Sequence, residues 1–131
     1  MVVIAYPYHS DDLEQLNPPL IQDLIELEAT GHQACVSQII NMIADLKTNG
    51  GDSRYLKNMS GPFLELKTAS RGGDKGGARV YLFQTAPETF YLCHAECKKA
   101  SEASAVLLFQ TLEIIKAHRN GQPILKKRAE P

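Results

Sequence analysis

The fold of this protein is decided by one stretch, GPFLELKTASRGGDKGGARVYLFQTAPETFYLCHAECKK, which covers residues 61–99. Residues 63–68 and 79–84 alternate between apolar and polar side chains, and residues 90–95 form a third run rich in aromatic and apolar residues. Alternation with a period of two is typical of a half-buried strand. The stretch therefore predicts three strands, with a glycine-rich loop between the first and the second.

The same alternation predicts that two cations lie side by side. Four apolar side chains would face the core: Leu64, Leu66, Val80 and Leu82. Because side chains alternate across a strand, Lys67 and Arg79 would then project together from the opposite face, with Tyr81 beside them. Two neighbouring cations on such a face can meet a phosphate. This shared face is the main functional hypothesis from the residues themselves.

The chain before this stretch predicts one strand and two helices. Residues 2–8 are β-branched and aromatic, as in a strand, and Pro7 marks an edge or an early stop. A first helix should run from a cap at Asn17 to Gly31, and a second should cover residues 33–47. Their apolar stripes are Leu20, Ile21, Leu24 and Leu27, then Val36, Ile39, Ile40, Ile43 and Leu46. These two helices should form an antiparallel hairpin that covers a sheet. Asn49-Gly50-Gly51 should end the second helix, and residues 52–60 should form a polar approach to the first strand of the central sheet.

A third helix should follow the three strands, with Ser101 as its cap and Gly121 after its end. Its apolar stripe is Ala105, Leu108, Phe109, Leu112 and Ile115. Cations in its last turn complement the helix dipole, which is a purely structural explanation for them.

The order of these elements predicts an α+β fold. We expect a small antiparallel or mixed sheet, packed by an N-terminal helical hairpin and a C-terminal helix. One domain should cover residues 1–121, and residues 122–131 form a basic tail. The tail is predicted as either a short strand at Ile124 and Leu125 or a frayed end.

Charge is unevenly distributed along a chain of 131 residues whose net charge is −1. Residues 1–50 hold seven acidic residues and one basic residue, whereas residues 51–131 hold thirteen bases and eight acids. This asymmetry is compatible with a basic surface for nucleic acid or an acidic partner, or simply with two solvated surfaces. No run approaches the roughly 20 apolar residues of a membrane helix, so we expect a soluble, cytoplasmic protein.

Metal and nucleotide motifs are not supported by the spacing of residues. Cys93 and Cys97 would share one face of a strand about 13 Å apart, with His94 on the other, so we predict no metal site and packed, reduced thiols. The loop at residues 71–77 lacks the GxxxxGK[ST] pattern and joins two strands. It is either a mobile hairpin connection or a loop that grips a substrate.

Three segments in this order resemble the RelE/HigB toxin superfamily, especially its phage-derived Gp49-like branch. They are Leu64-Glu65-Leu66-Lys67, Ala78-Arg79-Val80-Tyr81 and Leu92-Cys93-His94-Ala95-Glu96-Cys97-Lys98-Lys99. In that branch a helical hairpin precedes an ELR strand, a strand with an exposed Arg, a strand of LLHxFxKK type and a helix. The likeness covers about residues 20–118 and implies a RelE-like fold.

The resemblance also implies the toxin of a type II toxin–antitoxin module. Members are similar in function to ribosome-dependent endoribonucleases that cleave mRNA without a metal or other cofactor, and an antitoxin, often a helix-turn-helix protein, neutralises them. The catalytic residues it implies are Lys67, Arg79, Tyr81 and His94, with His118 as another candidate for proton transfer. The RNA-binding residues it implies are Arg71, Lys75, Lys98 and Lys99.

Two other functions fit the same residues. Lys67 stands where the family has Arg, and Glu96 stands where it has Phe. Both differences favour a non-catalytic RNA- or protein-binding member of the fold, such as a degenerate toxin or a phage-derived factor. A gyrase poison of the ParE type is the other alternative. His94 is also compatible with simple burial beside Phe90 and Leu92, and Lys98 and Lys99 with solvated charges.

Overall fold

The computed structural model describes residues 1–8, 17–68, 77–97 and 104–119, together with the backbone of residues 126–128. The elements in chain order are β1 (Val3–Pro7), α1 (Pro19–Ala29), α2 (Gln33–Asn49), a 3-10 turn (Gly50–Asp52), β2 (Leu56–Asn58), β3 (Leu64–Lys67), β4 (Ala78–Ala86), β5 (Thr89–Cys97), α3 (Ala105–Arg119) and β6 (Lys126–Arg128). Within these ranges no helix is long and apolar enough to cross a membrane.

The strands form one mixed sheet, so the predicted α+β class is confirmed. The order across the sheet is β2-β3-β4-β5-β1-β6. β1 runs parallel to β5, whereas the other neighbouring pairs are antiparallel. Two differences from the prediction concern short strands. β2 lies in a segment predicted as a polar approach, and the tail strand begins at Lys126, after the predicted Ile124 and Leu125.

The helices α1 and α2 cover one face of the sheet. Their contact with it is an apolar cluster, here called the first core: Ile4, Leu20, Cys35, Ile39, Met42, Leu46, Leu66, Ala78, Val80, Leu82, Phe90, Leu92, Ala95 and Cys97. Leu64 is partly buried against the same cluster, so the predicted core-facing set on β3 and β4 is confirmed. One member of the predicted α2 stripe is wrong, because Ile40 is 55% exposed and Met42 is buried in its place.

Glycines end the two helices where the sequence predicts. Gly31 and Gly50 have φ angles of 86° and 56°, a backbone conformation that residues with a side chain rarely adopt. The start of α1 differs from the prediction. Pro18 occupies the cap position, and no side chain caps the helix there. Its carbonyl accepts the first helical hydrogen bond, from the N–H of Gln22 at 3.0 Å.

Helix α3 packs on the opposite face of the sheet, over a smaller cluster called the second core: Ala5, Phe83, Tyr91, Cys93, Ile114 and Ile115. The predicted α3 stripe is partly wrong, because Phe109 is 64% exposed while Ile114 is buried. The helix is capped by Ser104, whose hydroxyl accepts the N–H of Leu107 at 3.3 Å. The predicted cap, Ser101, lies outside the described residues.

A β-bulge in β5 corrects the prediction for the two cysteines at its end. Tyr81 pairs with His94 and Leu82 pairs with Leu92, which leaves Cys93 as an extra residue. An extra residue reverses the alternation of side chains beyond it. Cys93 therefore lies in the second core and Cys97 in the first, rather than on one face. Among the described residues no group of three His, Cys, Asp or Glu could hold a metal ion.

Candidate functional site

Four residues that the sequence analysis singled out, Lys67, Arg79, Tyr81 and His94, lie on three adjacent strands. Lys67 on β3 is directly opposite Arg79 on β4, as predicted. Two residue pairs further along, Tyr81 on β4 is opposite His94 on β5. We call these four residues the strand patch. The register places these residues within two residue pairs of each other along the strands. Neighbouring strands in a sheet are about 4.8 Å apart.

Arg79 does not project into solvent as predicted. The residue is only 2% exposed, and its Nε lies 3.7 Å from Oε2 of Glu65 on β3. Alternation identifies residues that share a face, but it carries no information on whether another element covers that face. In this arrangement a carboxylate balances the guanidinium charge, because a buried cation needs a counter-charge.

Tyr81 is fully buried, and its hydroxyl donates a hydrogen bond to Oε2 of Glu96. The N–H of Ser104, at the start of α3, donates to the Tyr81 hydroxyl at 3.2 Å and to the Glu96 carboxylate at 3.1 Å. Burial raises the pKa of the Tyr81 phenol, and the hydrogen bond to Glu96 raises this pKa further. Tyr81 is therefore a protonated hydrogen-bond donor at neutral pH.

His94 is held by a carboxylate from α1. Its Nδ1 lies 2.8 Å from Oδ2 of Asp23, and the same oxygen accepts the N–H of Ala95 at 3.0 Å. A carboxylate at Nδ1 favours the tautomer with a proton on that nitrogen, which leaves Nε2 as an acceptor. The arrangement is chemically suited to proton transfer, although the residue is only 6% exposed.

Lys67, the fourth residue of the strand patch, lies at an open cavity of about 670 Å³. We call this cavity the basic pocket, and its lining is Gln38, Arg54, Tyr55, Lys57, Asn58, Glu65, Lys67 and Thr68. Three of these side chains are cationic and one is anionic. The basic pocket is continuous with the strand patch, because Lys67 belongs to both and Glu65 is the partner of Arg79.

The outer wall of the basic pocket was not predicted from the sequence. Arg54, Tyr55 and Lys57 lie in the segment predicted as a polar approach to β3. The Arg54 guanidinium lies over the Tyr55 ring, 4.7 Å from its centroid, and Nη2 donates to the Tyr55 hydroxyl at 2.5 Å. An aromatic residue between two cations, Arg-Tyr-x-Lys, was the available signal in the sequence.

A turn fixed by a buried serine holds Tyr55 in place. Ser53 is 6% exposed, and its hydroxyl donates to Oδ2 of Asp45 on α2 at 2.5 Å. The same hydroxyl accepts the N–H of Tyr55 at 3.3 Å. The carbonyl of Tyr55 in turn accepts the N–H of Lys67 at 3.0 Å. The wall of the basic pocket is therefore tied both to α2 and to β3.

A second cavity, of about 590 Å³, has the opposite charge. Its lining is Asp23, Glu26, Leu27, Thr30, His32, Ala95, Glu96, Cys97, Ser104 and Leu107. We call it the acidic pocket. Asp23 and Glu96, the partners of His94 and Tyr81, are both part of this lining, so the strand patch lies between a basic and an acidic cavity.

Of the remaining residues that the sequence suggested for the site, only His118 lies within the described part of the chain. His118 lies against the rings of Phe83 and Tyr91, with centroids 5.6 and 5.5 Å away, beside the second core. The predicted RNA-binding residues lie outside the described residues: Arg71, Lys75, Lys98 and Lys99. A comparison of the chain with protein-family models and with curated proteins gives no match.

Proposed function

We propose that this protein is the toxin of a type II toxin–antitoxin module and cleaves mRNA as a ribosome-dependent endoribonuclease that uses no metal. One observation carries the proposal: the four residues of the strand patch lie within two rungs of three adjacent strands. Their chemistry fits cleavage of a phosphodiester, which needs cations for the phosphate and groups that transfer protons. The resemblance to the RelE/HigB superfamily, carried by the same strands, supports it.

Each residue of the strand patch has a role in this proposal. The 2′-hydroxyl of RNA attacks the neighbouring phosphate, which gives a cyclic phosphate and a free 5′-hydroxyl. Lys67 and Arg79 stabilise the charge that develops on the phosphate, and the phosphate replaces Glu65 as the counter-ion of Arg79. Nε2 of His94 accepts the proton of the attacking hydroxyl, and the Tyr81 hydroxyl donates a proton to the leaving oxygen.

Inducible expression in bacteria tests this proposal. Wild type should arrest growth, and mapping of mRNA 5′ ends should show new cuts that depend on translation. Lys67→Gln should lose most of both effects, because Lys67 is the open cation of the strand patch. Lys116→Gln is the matched control, since it removes an exposed cation from the last turn of α3. Harmless expression of a folded wild type with intact mRNA would contradict the proposal.

A second function is favoured by the carboxylates around the strand patch. Arg79, Tyr81 and His94 are each within contact of an acidic side chain. Such pairing fits a protein that binds RNA without cutting it. A salt-dependent affinity for RNA with no cleavage, in the presence and absence of ribosomes, would favour this function over the first.

The toxin proposal includes a protein partner and a location. We propose a helix-turn-helix antitoxin as the partner and the cytoplasm as the place of action, because mRNA and ribosomes are there. Two apolar side chains on the first turns of α3, Val106 and Phe109, are 65% and 64% exposed, which supports a protein contact on this helix. Co-expression with a small protein encoded beside this one should restore growth, and a Phe109→Ser change should weaken that rescue.

A further inference from the structure

We infer that the basic pocket is a subsite for one nucleotide of single-stranded RNA, with the base stacked on the Arg54–Tyr55 layer and a backbone phosphate between Lys57 and Lys67. The inference rests on the proposal that the protein acts on RNA, and it holds with or without cleavage. It assigns a binding role to Arg54, Tyr55 and Lys57, which lie outside the strand patch, and a phosphate contact to Lys67, which belongs to both the strand patch and the basic pocket.

The stacking surface is already formed without RNA. The Tyr55 ring is half-buried against the first core, and the Arg54 guanidinium covers it at 4.7 Å. Arg54 itself is exposed, so its guanidinium is accessible to a base. Both aromatic rings and guanidinium planes stack on nucleobases, with little preference among the four bases. A base can therefore extend the existing two-layer stack.

The phosphate position follows from the strand register. Lys57 on β2 is opposite Glu65 on β3, and Lys67 is two residues further along β3 on the same side. Glu65 contacts Arg79, so its charge is balanced within the sheet while Lys57 and Lys67 line the cavity. The lining holds three cations and one carboxylate, and that carboxylate contacts Arg79, so the basic pocket has a net positive charge that favours an anionic ligand.

The size and rigidity of the basic pocket also fit a single nucleotide. Its volume of about 670 Å³ is within the range of sites that hold small ligands. The hydrogen bonds from Ser53 to Asp45 and from Tyr55 to Ser53 fix the wall before binding. A fixed wall lowers the entropy lost on binding. The neighbouring strand β4 carries Arg79 opposite Lys67 and Tyr81 opposite Glu65, so a bound RNA would lead from the basic pocket to the strand patch.

Binding of a labelled, short single-stranded RNA, followed by fluorescence anisotropy, tests the inference. Arg54→Gln and Tyr55→Leu should each weaken binding about tenfold, because each removes one layer of the stack. Tyr55→Phe keeps the ring and should bind nearly as wild type. Lys57→Gln should lower the slope of log affinity against log salt by about 0.7, the value for one phosphate contact on a single strand. Lys116→Gln should change neither quantity.

The outcomes separate this inference from the proposed function. Arg54→Gln is a change at an exposed side chain, so it remains informative if Tyr55→Leu fails to fold. If wild type arrests growth but the RNA affinity of Arg54→Gln and Lys57→Gln is unchanged, the inference is overturned and the toxin proposal stands. If wild type neither binds RNA nor arrests growth, the proposed function itself fails.

Discussion

The two faces of the sheet are both covered by helices, but they differ in what lies beneath. The face under α1 and α2 is the first core, a large cluster of aliphatic and aromatic side chains with the thiols of Cys35 and Cys97. The face under α3 has a smaller apolar cluster at one end and, at the other, the charged and hydroxyl groups of Glu65, Arg79, Tyr81 and Glu96. An apolar face needs only shape complementarity, whereas a polar face needs a partner for every buried group.

This difference indicates where function can reside. The first core contributes to stability because its apolar surface is buried away from water, and few of its side chains carry ionisable or nucleophilic groups. The opposite face carries ionisable groups whose partners come from three elements: β3, β5 and the start of α3. Substitutions in the first core should therefore change mainly the free energy of unfolding, whereas substitutions on the opposite face should also change the interactions of its ionisable groups.

The largest expected effect is a cavity in the first core. Phe90 on β5 is fully buried, and Phe90→Ala should lower the free energy of unfolding by about 4 kcal/mol. Ile40→Ala on α2 is the control, because Ile40 is 55% exposed, and its effect should stay below about 0.5 kcal/mol. Urea denaturation measures both. A loss below about 1 kcal/mol for Phe90→Ala would mean that the helices pack more loosely on this face.

The next largest effect is expected on the polar face. Arg79→Ala leaves Glu65 buried without its counter-charge, so the free energy of unfolding should fall by about 3 kcal/mol. The double change Arg79→Met with Glu65→Leu should recover most of this loss, since no charge then remains buried. Arg119→Ala, at an exposed position on α3, is the control. A double variant as unstable as Arg79→Ala would contradict the assignment of this pair.

The difference between the two faces of the sheet explains which features could be predicted from the sequence. Period-two alternation in β3 and β4 and glycines after α1 and α2 are local signals, and they gave the correct strands, helix ends and register of Lys67 with Arg79. Whether the face that carries Arg79 is covered depends on contacts between residues far apart in sequence. The burial of Arg79 could therefore not be predicted from the alternation.

Two further misses have local physical causes. One extra residue at the bulge moves Cys93 and Cys97 to opposite faces, and nothing in the composition of β5 marks it. The short strand β2 has two exposed polar residues among its three, so it has no hydrophobic pattern. Neither this strand nor the wall of the basic pocket beside it could therefore be predicted from the sequence.

A smaller effect is expected from pH, through Tyr81. Burial and the Glu96 hydrogen bond raise the pKa of this phenol above its usual value near 10. Because the pKa of Tyr81 is higher in the folded than in the unfolded chain, the protonated phenol stabilises the fold fully below pH 10. This stabilisation is lost as pH rises above 10, where the unfolded chain loses the phenol proton while the folded chain still holds it. The urea midpoint of wild type should therefore fall above pH 10.

Tyr81→Phe is the variant that assigns this pH dependence. It should be less stable than wild type at pH 8, because Glu96 loses a hydrogen-bond donor, but its urea midpoint should fall less steeply above pH 10. Burial mainly, and the hydrogen bond to Cys97 to a smaller extent, raise the pKa of the Cys35 thiol to about 12. Part of the fall in the urea midpoint above pH 9 is therefore common to wild type and Tyr81→Phe. Identical slopes above pH 10 would contradict the role given to Tyr81.

The smallest effect is expected where α3 begins, at the edge of the polar face. Ser104 acts there in two ways: its hydroxyl caps α3, and its backbone N–H donates to Tyr81 and Glu96. Ser104→Ala removes only the cap, so the free energy of unfolding should fall by about 1 kcal/mol.

Ser104→Asn can replace the cap and should be close to wild type. Ser104→Asp can also cap, but it places a second carboxylate beside Glu96, so its stability at pH 7 should lie between those of Ser104→Ala and Ser104→Asn. If all three variants unfold at the same urea concentration as wild type, α3 does not begin at Ser104, and the hydrogen bond that joins this helix to Tyr81 and Glu96 must be reassigned.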